Sequence, residues 1–144
     1  MNKNLTRYIP HGFIAAGMMN IGGVLLFSRA FTNQAINQAD PVVMSNFGLL
    51  MIIIWGLAYI SVAKTVGKNI AQVCWLAGVF AIEKLIYAAT WGWWLSHNSL
   101  TALYDKDLFA GVFYTIYGIN DLFFMIFFAW VWASTANTNN NNGV

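Results

Sequence analysis

The sequence predicts an all-α fold, an integral membrane bundle of four transmembrane helices, and three observations predict it. The chain of 144 residues is 59% hydrophobic and 17% aromatic. Only 8% of its residues are charged, against the roughly 25% with which a water-soluble domain covers its surface. The apolar residues gather in four runs, at about 10–28, 41–63, 70–95 and 108–132. Each run is close to the ~20 residues with which a helix crosses the roughly 30 Å hydrocarbon layer. One transmembrane domain, residues 1–134, therefore takes nearly the whole length. The net charge of +2 is too small and too scattered for a nucleic-acid partner.

The first run follows Lys3 and Arg7 and ends at Ser28-Arg29-Ala30, which resembles a secretory signal with its cleavage site. It reads as a retained helix, because the apolar stretch is longer than such a signal uses and Asn20 interrupts it. The second run opens with Asp40-Pro41, an N-cap followed by the proline that the first helical position tolerates. The third carries Cys74 near its start; as the single cysteine it can form no internal disulfide and reads as a small packed hydrophobe. Asp107 caps the fourth, and the polar, uncharged segment 135–144 beyond it reads as a disordered tail.

Lys3, Arg7, Lys64 and Lys68 fall on one side of these spans, and only Arg29 and Lys106 on the other. Cytoplasmic loops hold lysine and arginine in excess, so both termini are expected inside the cell, with the links 29–40 and 96–107 outside. Tyr8, Trp75, Trp130 and Trp132 near one boundary, and Trp91, Trp93, Trp94 and Tyr104 near the other, read as aromatic belts at the headgroup level.

Helices in lipid associate through small residues and polar side chains, because lipid is itself as apolar as leucine. Small-residue faces are read at Gly12, Ala16, Asn20 and Gly23; at Gly48, Ile52, Gly56 and Ala63; at Ala77, Ala81, Ala88 and Gly92; and at Gly111, Thr115, Gly118 and Ala129. Neighbouring helices are expected antiparallel, and a leftover face could pair two copies or seat a partner membrane subunit.

Aligned by their ends, three spans bring their strongly polar residues to one depth: Asn20 in the first, Glu83 and Lys84 in the third, Asn120 and Asp121 in the fourth. The second, centred on Ile52-Ile53-Ile54, contributes none. A charge at mid-membrane costs at least ~2.5–3.5 kcal/mol and faces the bundle interior. The lysine stem, about 6 Å, falls short of the interface roughly 15 Å away, so Lys84 needs an acid. Adjacent residues point about 100° apart on a helix, which favours Asp121 over Glu83 as its partner. Glu83 is then left over, either carrying a proton or neutralised by a bound cation. Tyr87 and Tyr117 lie one turn from the acids and, with Tyr114 and Trp91, are expected to line a cavity opening toward the outside.

His11 and His97 lie roughly a membrane apart, too far to hold one haem, and no other metal or cofactor motif is present. Four-helix small multidrug transporters are similar in size and carry a membrane-embedded glutamate, but theirs lies in the first helix, where this chain has Asn20. No motif matches residue by residue, so that likeness assigns no function.

The expectation is a multi-pass inner-membrane protein that binds a small amphipathic or cationic ligand, or a proton, at Glu83, Lys84, Asp121, Asn20, Asn120, Tyr87, Tyr117, Tyr114 and Trp91. A non-catalytic accessory or scaffold subunit of a membrane complex is the alternative. An intramembrane enzyme using Glu83 and Asp121 on a lipid-like substrate is the second, and the balance of features leans away from catalysis.

Overall fold

The computed structural model describes residues 7–141, with side chains as far as residue 136. They form helices and connecting turns, without a strand among the described residues. The helices are α1 (Ile9–Phe27), α2 (Gln34–Ala39), α3 (Asn46–Val66), α4 (Cys74–His97), α5 (Leu100–Lys106) and α6 (Leu108–Asn141). A 3-10 turn, Ile70–Val73, leads into α4. Four elements are long and apolar enough to cross a membrane: Ile9–Phe27, Asn46–Val66, Ile70–His97 and Leu108–Ala136.

Three boundaries differ from the sequence expectation. Asp40 does not open α3; it ends the short α2, and its Oδ1 accepts from the backbone N–H groups of Val42 and Val43. Ser45 is the cap instead, accepting from Gly48 N at 3.1 Å, so α3 starts five residues later than the expected Pro41 and runs on to Val66. The links expected to be plain loops contain α2 and α5, capped by Asn33 and Ser99. At the far end α6 continues to Asn141, through most of the segment expected to be disordered, because extending an established helix adds a hydrogen bond per residue fixed. Residues 142–144 of that segment, and Lys3, lie outside the described residues. Asp107 caps α6 as expected, through Ala110 N at 2.8 Å.

Two antiparallel pairs build the bundle, α1 with α3 and α4 with α6. Backbones touch in the first pair at Gly17 and Gly56: a Cβ on Gly17 would stand 2.5 Å from the Gly56 carbonyl oxygen, and one on Gly56 2.9 Å from that of Gly17. In the second pair rings lie over glycines, Trp91 on Gly118 and Trp132 on Gly78. Small residues thus permit the close approach that lipid cannot drive. Gly17 was absent from the face read in the sequence, whereas a Cβ on Gly23, which was on it, would meet nothing within 4 Å.

The two pairs meet along a seam of long side chains. At the end that holds the α1 N-terminus and the α3 C-terminus, Phe13, Tyr59, Phe80 and Phe128 close the seam, with ring centroids 4.8 Å apart for Tyr59 and Phe80 and 5.0 Å for Phe13 and Phe128. At the opposite end, under the two long links, Ile36, Met44, Leu49, Trp94, Leu103 and Tyr114 form a second core. Of the expected belts, Tyr8, Trp75 and Trp93 face outward. Trp94 is buried instead and donates its indole N–H to Ala39 O, because the early end of α2 gives it a carbonyl to meet.

Candidate functional site

The polar residues converge. The centre of the span Ile70–His97 falls between Glu83 and Lys84, and each of the four spanning helices sends at least one polar side chain to that level. Lys84 is 1% exposed. Its ammonium group forms an ion pair with Asp121 Oδ1, donates to Asn20 Oδ1 at 3.0 Å and lies 5.5 Å from the centre of the Tyr59 ring. Asn20 in turn donates from Nδ2 to the carbonyl of Ile52 at 3.2 Å. A lysine only donates and a carbonyl only accepts, which fixes the orientation of the Asn20 amide between them. Asn120 adds a longer contact to Asp121 Oδ1 at 3.3 Å.

Glu83, the next residue of α4, points to α3 rather than to Asp121. The Tyr59 hydroxyl donates to Glu83 Oε2. Glu83 is 7% exposed, and its other oxygen, Oε1, is buried without a hydrogen-bond partner. A buried polar atom left in this state costs about 1–3 kcal/mol. Among the described residues Tyr114 Oη is the other such side-chain atom, and it sits in the second core beside Trp94.

A cavity of about 410 Å³ lies directly on this cluster, within the roughly 300–1,000 Å³ of small-molecule sites. Its polar floor is Asn20, Glu83, Lys84, Asn120 and Asp121, and its walls are Met18, Met19, Gly22, Gly23, Leu26 and Phe27 of α1 with Phe113, Ile116 and Tyr117 of α6. Tyr87 borders it from α4, and Tyr117 is held by a 2.9 Å bond from its hydroxyl to the Tyr87 carbonyl. Trp91 and Tyr114, expected in this wall, are elsewhere. Trp91 is drawn over Gly118 and donates its N–H to Tyr114 O at 2.7 Å, while the Tyr114 ring stacks toward Trp94. The cavity reaches the side of the bundle, where Met18 (59% exposed), Leu26 (60%) and Ile116 (38%) of its lining lie on the outer surface.

α1 and α6 are joined above and below this opening. Gly12 receives the Phe127 ring at the termini end. At the other end Arg29 Nη2 pairs with Asp107 Oδ2 at 3.1 Å, Asn33 Nδ2 donates to Asp107 Oδ1 at 2.9 Å and the Arg29 guanidinium lies 4.8 Å above the Phe109 ring. Arg29, Ala30 and Phe31 carry φ of 49°, 52° and 71° to bring these groups there, at ~1–2 kcal/mol for each left-handed residue. Partial burial alone would raise the Asp107 carboxyl; hydrogen bonds from Asn33 and Ala110, with the Arg29 charge, outweigh it and hold the carboxyl below its ordinary range.

Tyr59 and the apolar walls were missed by sequence reasoning. The misplaced start of α3 put the centre of that helix at Ile52–Ile54; with Ser45 as the cap the centre moves to Gly56, within one turn of Tyr59. His11 and His97 lie at opposite ends of the bundle, His11 near Tyr8 and His97 against Trp93. Among the described residues no group of three or more His, Cys, Asp or Glu converges. No protein-family model matches the chain, and neither a curated protein nor a solved structure is significantly similar to it.

Proposed function

We propose that this chain is a multi-pass inner-membrane protein, both termini cytoplasmic, that binds a small amphipathic or cationic ligand, or a proton, on the polar cluster halfway through the bilayer. The observation that carries this is the Glu83 carboxyl, buried, with Oε1 unpartnered and placed on the floor of a cavity. Lys84 and Asp121 neutralise one another, so their role is to hold the floor and that of Glu83 is to exchange. A cluster that only fixed helix register would be worth little, since interhelical polar contacts in membranes average about 0.6 kcal/mol, and would have no use for an open volume beside it. Both carboxyls border the same cavity, which supports acid–base chemistry on a lipid-like molecule as the second reading.

The test compares the protein with Glu83→Gln in lipid nanodiscs, following thermal unfolding by circular dichroism as dodecylamine is added. Binding to the folded state alone raises stability by ~2.7 kcal/mol at a hundred times the dissociation constant. The unsubstituted protein should show a saturable rise and Glu83→Gln none, at equal helicity. Equal rises in the two proteins would remove Glu83 from the site and leave the scaffold role.

A further inference from the structure

Resting on the binding site just proposed, we infer that its ligand is a single-chain amphiphile already dissolved in the bilayer, with a hydroxyl or amine head, which enters sideways between α1 and α6.

The route follows from what is closed. At the termini end the seam is filled by phenylalanine rings and α1 touches α6 through Gly12 and Phe127. At the other end Arg29, Asn33 and Asp107 tie the same two helices together, backed by the Phe27–Phe109 contact at 6.1 Å. Between these ties the helices part. Gly22 and Gly23 face the gap with nothing within 4 Å of where a Cβ would stand. The opening therefore lies within the hydrocarbon layer and meets acyl chains instead of water.

The shape sets the chain. From Asn20 to Phe27 the slot follows α1 for about 10 Å by helix rise, and its rim carries methionine, leucine and isoleucine without a charged side chain. Methionine is unbranched and adapts to an irregular apolar occupant. One flexible chain fits such a slot.

The floor sets the head. Lys84 already spends its donors on Asp121 and Asn20 and faces the Tyr59 ring. Of the fully buried side-chain atoms on this floor, the one without a partner is an acceptor, Glu83 Oε1. A hydroxyl satisfies that oxygen whether or not the carboxyl carries a proton, since it both donates and accepts; an ammonium satisfies only the ionised form. Donation to this oxygen is the chemistry common to both heads.

The test uses hexadecanol carrying a diazirine in its chain, irradiated with the protein in phospholipid vesicles, and maps the adducts by mass spectrometry. Labelling at Met18, Met19 and Ile116 should saturate and fall at least tenfold with excess unlabelled hexadecanol or hexadecylamine, but not with hexadecane; whichever competes better identifies the head. Gly23→Phe, which has open space to occupy, should abolish the saturable labelling while labelling of the outward-facing Phe123 persists. Unsaturable labelling, competition by hexadecane, or unchanged labelling in Gly23→Phe would each overturn lateral entry. Loss in Gly23→Phe with full retention in Glu83→Leu, which removes the acceptor oxygen, would uphold the slot and overturn the binding role given to Glu83; the reverse pattern would uphold Glu83 and overturn the slot.

Discussion

Lys84 and Asp121 should behave as one group that tolerates loss of both members better than loss of either. Lys84 is 1% exposed and Asp121 4%, so solvent screens neither. In Asp121→Leu the ammonium keeps only the Asn20 carbonyl oxygen and the face of Tyr59; in Lys84→Met the carboxylate keeps only the long contact from Asn120. Stranding one half of a buried pair costs about 3–5 kcal/mol. The double variant strands no charge; it orphans one buried neutral acceptor, Asn20 Oδ1, at about 1–3 kcal/mol, and releases the part-buried Asn120 amide from its long contact to Asp121. It should thus be more stable than either single variant, by ~2 kcal/mol, and a sum of independent losses would have made it the worst of the three. The assay is reversible unfolding in mixed detergent and SDS micelles, followed by far-ultraviolet circular dichroism, for all four proteins of the cycle. If the double variant is as unstable as the two single losses added together, the groups do not neutralise one another and the account of the site's charge is wrong.

Two glycines of α1 should respond in opposite directions to alanine. Gly17→Ala puts a methyl 2.5 Å from the Gly56 carbonyl oxygen and should cost at least the ~1–3 kcal/mol of an overpacked core, whereas Gly23→Ala meets open space and should gain up to ~1 kcal/mol from helix propensity; the same micelle unfolding measures both. The Asp107 carboxyl is held below its ordinary range in the folded protein, so its contribution is complete above the ordinary carboxylate range and is lost as the pH falls through the lowered value. Protection factors of the Arg29–Asn33 turn amides, with rates corrected for the intrinsic pH dependence of exchange, should therefore fall in acid, and Asp107→Asn should show the lower protection already at neutral pH.

Much of this molecule is legible in the sequence because the bilayer imposes few solutions. Four apolar runs of spanning length admit helices and little else, and a lysine too far from either interface must find an acid, so Lys84 and Asp121 could be joined on paper. The second helix is where the reading slipped. Asp40-Pro41 carries a strong start signal, and the protein uses it for a turn between α2 and α3 while Ser45 does the capping; both are local motifs of similar strength, and only tertiary packing chooses between them. That shift hid Tyr59, and with it the reason Glu83 turns away from its neighbour. The faces were also underdetermined: Gly17 and Gly23 look alike as small residues on one helix, yet one is a contact between backbones and the other borders empty space. Which glycine does which depends on the crossing of α1 with α3, a relation between helices that neither helix encodes alone.

The seam between the two helix pairs also divides the polar contacts of the cluster. Asn20 meets the Ile52 carbonyl within the first pair, and Lys84 meets Asp121 within the second, so each pair satisfies one of its buried polar groups from its own residues. What is made across the seam is the hydroxyl of Tyr59 for Glu83 and the amide of Asn20 for Lys84. Each pair thus carries one polar contact made from its own residues, and the Glu83 carboxyl gains its hydrogen bond only where the pairs meet.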